Sequence, residues 1–89
     1  MTNPAVFLDL KEMPNGYGFF YGTAHIGEKR YRIDIMPSVE DAKRLGITIS
    51  YNDIAEEKRW VIFVDGERKT VVRDFEAAKQ FIVDNAHLW

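Results

Sequence analysis

The sequence predicts an α+β domain with an antiparallel sheet of five or six strands and two helices. Two dipeptides, Gly27-Glu28 and Asp65-Gly66, each separate stretches of strand-forming residues, as two-residue hairpin turns do. A helix-like pattern follows each hairpin and opens with a residue that favours a helix N-cap. With 89 residues, 46% of them hydrophobic, the chain is expected to form a single domain over residues 1–89.

Three strands are expected in the first half. The apolar run at 6–10 ends at Pro14-Asn15-Gly16, which has the composition of a turn. Strands at 17–26 and 29–36 follow, and the turn between them sets Phe20 opposite Ile35. One face of this hairpin is then apolar throughout.

The first predicted helix follows the third strand. Ser38 is expected to be its N-cap, with Asp41 at the third helical position as in a capping box. Gly46 suits the helix terminator. Both helices are placed most simply on one face of the sheet.

The second half repeats this order of elements. Ile47, Ile49 and Tyr51 alternate with polar residues, which predicts a further strand. A hairpin is expected from strands 58–64 and 67–73, followed by a helix that Asp74 caps and that runs to about residue 84.

The two halves, about 5–46 and 47–86, are similar in sequence. Gly27-Glu28-Lys29-Arg30 resembles Gly66-Glu67-Arg68-Lys69, and the two helix starts also match. One interpretation is an internal duplication of a βββα unit. The other is that hairpins and capped helices share these residue preferences wherever they occur.

The composition excludes several kinds of site. The chain has no cysteine, which removes disulfides, thiolate nucleophiles and cysteine-based metal centres. Its two histidines, His25 and His87, are far apart in sequence, and it has neither a G-x-x-x-x-G-K-[ST] loop nor a G-x-G-x-x-G motif. We therefore expect no metal, no cofactor and no catalysis.

Nothing in the sequence indicates a membrane or export. The longest apolar run, 60–64, is far shorter than the roughly 20 residues of a membrane span. The N-terminal residues lack the pattern of a signal peptide. A cytoplasmic location is expected.

The second face of the predicted sheet is the candidate binding surface. If both helices cover the apolar face, aromatic and basic side chains point away from them. These residues are Phe19, Tyr21, His25, Arg30 and Arg32, with Trp60 expected from the second hairpin and Trp89 from the C-terminal tail.

Such a surface suits more than one role. Aromatic and arginine side chains dominate protein interfaces, and they also stack on bases and bind phosphates. Alternatively, they serve only as cross-strand pairs that stabilise an exposed sheet. The net charge of -2 favours a protein partner, because duplex-binding domains usually carry a basic excess.

Two segments resemble known families. Residues 66–82, with Gly66, Arg73-Asp74-Phe75 and an amphipathic helix, resemble small phage anti-CRISPR proteins. That resemblance implies a non-enzymatic protein that acts by occluding a CRISPR complex. The βββα unit resembles the arm-binding domains of tyrosine integrases, whose three-stranded sheet enters a DNA groove.

These observations lead to one functional hypothesis. The chain is predicted to be a non-catalytic binding module, such as a phage or mobile-element inhibitor that blocks a host defence complex by protein–protein contact. The alternative is a nucleic-acid-binding module that uses the same face. A homodimer through Trp89 or through an open sheet edge is a further expectation.

Overall fold

A computed structural model describes residues 5–14, 16 and 18–89. Its strands form one antiparallel sheet in chain order, from β1 to β5. The strands are β1 (Val6–Glu12), β2 (Phe20–Ile26), β3 (Lys29–Pro37), β4 (Trp60–Val64) and β5 (Glu67–Val72), and the helices are α1 (Ser38–Arg44) after β3 and α2 (Phe75–Asn85) after β5. The predicted α+β class is confirmed, with five strands.

Both hairpin turns lie where the sequence placed them. β2 and β3 pair Phe20 with Ile35 and Ile26 with Lys29, which is the predicted register. Asp65 and Gly66 join β4 to β5 with φ values of 51° and 83°, as a type I′ turn requires. In the turn predicted before β2, Asn15 lies outside the described residues, as does Tyr17 at the predicted start of that strand.

The hydrophobic core lies between one face of the sheet and α2, and we call this side of the sheet the core face. Its fully buried residues are Ala24, Ile33, Ile35, Ile62 and Val64 from the sheet and Ala78 and Ile82 from α2. The Asp74 carboxylate accepts a hydrogen bond from the Ala77 amide at 2.7 Å and so caps α2 as predicted.

The expectation that both helices cover one face is wrong. The Arg44 guanidinium of α1 lies 5.2 Å from the centre of the Phe63 ring. Phe63 alternates with the core residues Ile62 and Val64, so its side chain is on the opposite, second face of the sheet. α1 therefore packs on the second face, where it helps to bury Phe63 and Val61.

The helix α1 also begins differently from the prediction. Pro37 is its N-cap residue and makes no side-chain capping bond, while Ser38 is the first helical residue. The Ser38 hydroxyl donates to the Lys58 carbonyl, and its amide donates to the Arg59 carbonyl at 2.7 Å. Ser38 thus ties the start of α1 to the chain that enters β4.

The predicted strand at 47–51 is absent. Residues 47–50 have no regular structure, and Tyr51–Asp53 form a 3₁₀ turn. Ile47, Ile49 and Tyr51 are 53%, 36% and 48% exposed, because no strand or helix packs over their alternating apolar side. Consequently the second half of the chain has two strands where the duplicated unit would require three.

Candidate functional site

The second face of the sheet has a covered part and an open part. α1 lies over β3 and β4, and its Asp41 reaches Arg68 of β5 at 3.9 Å. Strands β1 to β3 extend beyond the helix. Their outward residues, which we call the open face, are Phe7, Asp9, Lys11, Tyr21, Thr23, His25, Arg30, Arg32 and Asp34.

The sheet register arranges the open face in three cross-strand rows. Phe7, His25 and Arg30 form one row. Asp9, Thr23 and Arg32 form the next, and Lys11, Tyr21 and Asp34 the third. Side chains directly opposite each other on antiparallel strands are close enough to interact, so each row is a local cluster.

Tyr21 lies in the last of these rows and is the main exposed aromatic residue of the predicted site. Its side chain is 43% exposed, and its Cα neighbours are Lys11 on β1 and Asp34 on β3. Tyrosine in such a position presents an apolar ring and a hydroxyl group on a rigid strand. It can therefore pack against a partner with little loss of side-chain entropy.

Arg32 is fixed at its backbone and partly neutralised at its side chain. Its amide donates to the Asp65 carboxylate at 2.8 Å, and its carbonyl accepts from the Asp65 amide at 2.8 Å. The guanidinium Nε donates to Asp34 at 3.2 Å while two thirds of the side chain stays exposed. Arg32 therefore offers further donors from a well-defined position.

The row with His25 is more apolar. His25 is half-buried, and its Nε2 lies 2.9 Å from the Thr23 hydroxyl. Arg30, its cross-strand neighbour, is exposed, as is Phe7 on the other side. His25 thus lies between an exposed cation and an exposed ring.

A groove separates the open face from α1. Phe19, Met36 and Phe63 contribute its apolar surface, and Arg32 and Arg44 lie along it. Phe19 precedes β2 and its carbonyl accepts from the Met13 amide at 2.8 Å. The structure therefore brings Phe19, Tyr21, His25, Arg30 and Arg32 to one side of the sheet, as predicted.

The prediction that Trp60 joins these side chains is wrong. Trp60 lies on the core face, where its ring centre is 6.0 Å from that of Phe20 and its edge packs over Gly18. The reason is the alternation of β4, which places Trp60 on the same side as Ile62 and Val64.

Trp89 is also on the core side. Its ring meets the Tyr31 ring edge-on at 5.5 Å and lies 6.4 Å from the Phe81 ring. The Tyr31 hydroxyl donates to the Trp89 carbonyl at 2.9 Å. Trp89 closes one end of the core and lies apart from the open face.

An ion-pair cluster around a buried carboxylate on the second face was missed from the sequence. Asp41 is only 3% exposed, and its carboxylate lies 2.7 Å from Arg44 and 3.9 Å from Arg68. The signal that could have revealed a helix here was the apolar run of β4. Val61 and Phe63 are apolar residues on the second face, and another element must pack on that face to bury both of them.

The described residues contain no group of three or more His, Cys, Asp or Glu side chains that could hold a metal. Among the same residues, no helix has the length and apolar character needed to cross a bilayer. Comparisons with protein families, curated proteins and solved structures give no match to this chain.

Proposed function

We propose that this chain is a non-catalytic binding module that contacts a protein partner through the open face, in the cytoplasm. One observation carries the proposal. α2 covers the core face and α1 covers β3 and β4 of the second face, while Tyr21 stays exposed beside Arg32 on three paired strands. Tyrosine and arginine are the residue types that contribute most to protein interfaces.

The charges of the open face favour a protein over a nucleic acid. Asp34 pairs with Arg32 at 3.2 Å, and Asp9 lies in the same cross-strand row as Arg32. These carboxylates would repel phosphates that approach the arginine. A protein surface with both signs of charge can match this pattern, which favours specific recognition.

Rigidity supports the same proposal. Tyr21 and Arg32 belong to strands that pair on both sides, and Arg32 is also bonded through its backbone to Asp65. A preorganised surface loses less entropy on binding than a loop does. The resemblance of residues 66–82 to phage inhibitors adds the proposal that the partner is a host defence complex of the CRISPR type.

Site-specific photocrosslinking tests the proposed face. A photoreactive phenylalanine analogue is placed at Tyr21 or, as the matched control, at Tyr51, which is 48% exposed and lies in the loop before β4. We expect crosslinks to a protein of the host lysate, or to a purified CRISPR complex, from position 21 only. Equal crosslinking from both positions, or none from position 21, contradicts the proposal.

A double variant tests which residues hold the partner. Arg30→Ala/Arg32→Ala is expected to abolish the crosslink from position 21, because it removes both exposed arginines of the open face. Lys58→Ala/Arg73→Ala removes the same charge from exposed sites elsewhere and should leave the crosslink unchanged. Titration with single- and double-stranded DNA completes the test. Salt-sensitive DNA binding that disappears in Arg30→Ala/Arg32→Ala would show that the partner is a nucleic acid and not a protein.

A further inference from the structure

The two edges of the sheet differ in how they are protected. At the β5 edge, a bulge between Ile62 and Phe63 interrupts the pairing of β4 and β5. Arg73, just after β5, pairs with Glu56 at 3.1 Å, and the turn Glu56–Lys58 packs against the strand. Bulges and covering loops are common means of preventing edge strands from pairing with other chains.

The β1 edge has no such protection within the described residues. All seven residues of β1 pair with β2 in an unbroken register, from Val6 opposite Ile26 to Glu12 opposite Phe20. No described strand lies on the other side of β1. Its outward backbone groups are therefore available to another strand.

The side chains of this edge alternate in a specific way. Phe7, Asp9 and Lys11 lie on the second face, and Phe7 is 70% exposed. Met13 follows on the same side, where it borders the groove with Phe19, and it is 40% exposed. Every second residue along this edge is therefore apolar, acidic, basic and apolar in turn. Two antiparallel copies of this pattern are complementary, because acidic residues then face basic ones and apolar residues face apolar ones.

We propose that β1 pairs antiparallel with β1 of a second copy of this chain, about a two-fold axis at Leu10. This register sets Asp9 opposite Lys11 of the second copy and Phe7 opposite Met13 of the second copy. The two-fold axis repeats both contacts. Opposite charges and apolar side chains that face each other across antiparallel strands stabilise the pairing.

Neighbouring registers are less favourable. An axis at Asp9 sets the two Asp9 carboxylates against each other and Phe7 against Lys11, and like charges directly opposite are destabilising. An axis at Leu8 sets Phe7 against Asp9 and leaves Met13 beyond the paired segment. In both alternatives the same residues stay on the second face, so the facing side chains decide between the registers. Of the three axes, only the one at Leu10 sets opposite charges against each other and apolar side chains against each other.

The dimer would form one ten-stranded sheet. A two-fold axis perpendicular to the sheet puts both open faces on the same side. A partner with two matching sites would then bind with avidity. The dimer does not depend on the proposed function, because it forms without any other partner.

Charge reversal tests both the edge and the register. The mass of the wild-type chain is measured by sedimentation equilibrium from micromolar to millimolar concentration, where the monomer is 10.4 kDa. Asp9→Lys and Lys11→Asp each create two like-charge pairs, so each should raise the dimer dissociation constant about tenfold or more. An equimolar mixture of the two variants should dimerise again, because both pairs between positions 9 and 11 in the heterodimer are Lys opposite Asp.

Controls separate register from net charge. Glu28→Lys and Lys58→Asp make the same charge changes at exposed sites away from β1 and should dimerise like the wild type. A monomeric wild type at millimolar concentration overturns the proposal. So does a dimer that neither variant weakens, or a mixture that stays monomeric.

A second measurement needs no charge change. The chain has no cysteine, so a single introduced cysteine reports one contact. Leu10→Cys should form an intermolecular disulfide on mild oxidation, since the axis sets residue 10 opposite itself. Leu8→Cys, which faces Glu12 of the second copy, should form far less. Equal crosslinking of the two variants excludes the proposed register.

Discussion

Gly22 is the position where one added methyl group is expected to damage the fold most. It lies in β2 on the core face, paired with Leu10 of β1 and Ile33 of β3. A Cβ atom at Gly22 would lie 1.8 Å from the Asp9 carbonyl oxygen and 2.8 Å from the Asp9 carbonyl carbon. Those atoms belong to the backbone of the neighbouring strand, so no side-chain rotation can relieve the clash in Gly22→Ala.

The cost follows from the movement that relieves this clash. Ordinary contact begins at 3.4 Å, so β1 must move away by about 1.6 Å. That movement breaks about two ladder hydrogen bonds, worth about 1 kcal/mol each. Partial exposure of Leu8 and Leu10 adds about 1 kcal/mol for each side chain. We therefore expect Gly22→Ala to lower the free energy of unfolding by about 4 kcal/mol, out of about 4–13 kcal/mol for a domain of this size.

Urea unfolding followed by tryptophan fluorescence measures this change, since Trp60 and Trp89 both pack against the core. The matched control is Gly27→Ala. Gly27 has a φ of 59°, but no atom lies within 4 Å of its added Cβ, so only the left-handed backbone costs about 1–2 kcal/mol. If Gly22→Ala proves no less stable than Gly27→Ala, the close approach of β1 and β2 at Gly22 is refuted.

Two further substitutions test single contacts by the same urea assay. Asp65→Ala should lower the free energy of unfolding by about 2–3 kcal/mol. It removes the carboxylate that accepts a hydrogen bond from the Arg32 amide, and it replaces a residue that tolerates a φ of 51°. Asp65→Asn keeps an oxygen acceptor and also tolerates a positive φ. If Asp65→Asn loses as much stability as Asp65→Ala, neither the hydrogen bond nor the turn conformation is the cause. Asp74→Ala should cost about 1 kcal/mol by removing the cap of α2, whereas Asp74→Ser should change stability by only a few tenths. If Asp74→Ala and Asp74→Ser lose the same stability, the capping hydrogen bond is not the cause.

The candidate site could be predicted from the sequence only in part. The register of β2 and β3 places Tyr21, His25, Arg30 and Arg32 on one side of the sheet, and that register follows from the local turn at Gly27-Glu28. The extent of the open face could not be predicted, because it depends on where α1 packs. Both faces of β4 are apolar, so the sequence indicates an element packed on each face but does not show which face α1 covers.

Short-range chemistry specifies the elements that the sequence predicts correctly. The turns at Gly27-Glu28 and Asp65-Gly66 and the cap at Asp74 need only neighbouring residues, because backbone conformation and one or two local hydrogen bonds decide them.

Packing and pairing between distant elements decide the features that the sequence does not reveal. The alternating residues 47–51 form a loop because no strand or helix packs along them. Trp60 lies on the core face because β4 pairs with β3 in the register that sets Ile62 opposite Ile35. Burial and strand pairing depend on two segments together, so the sequence of either segment does not show them.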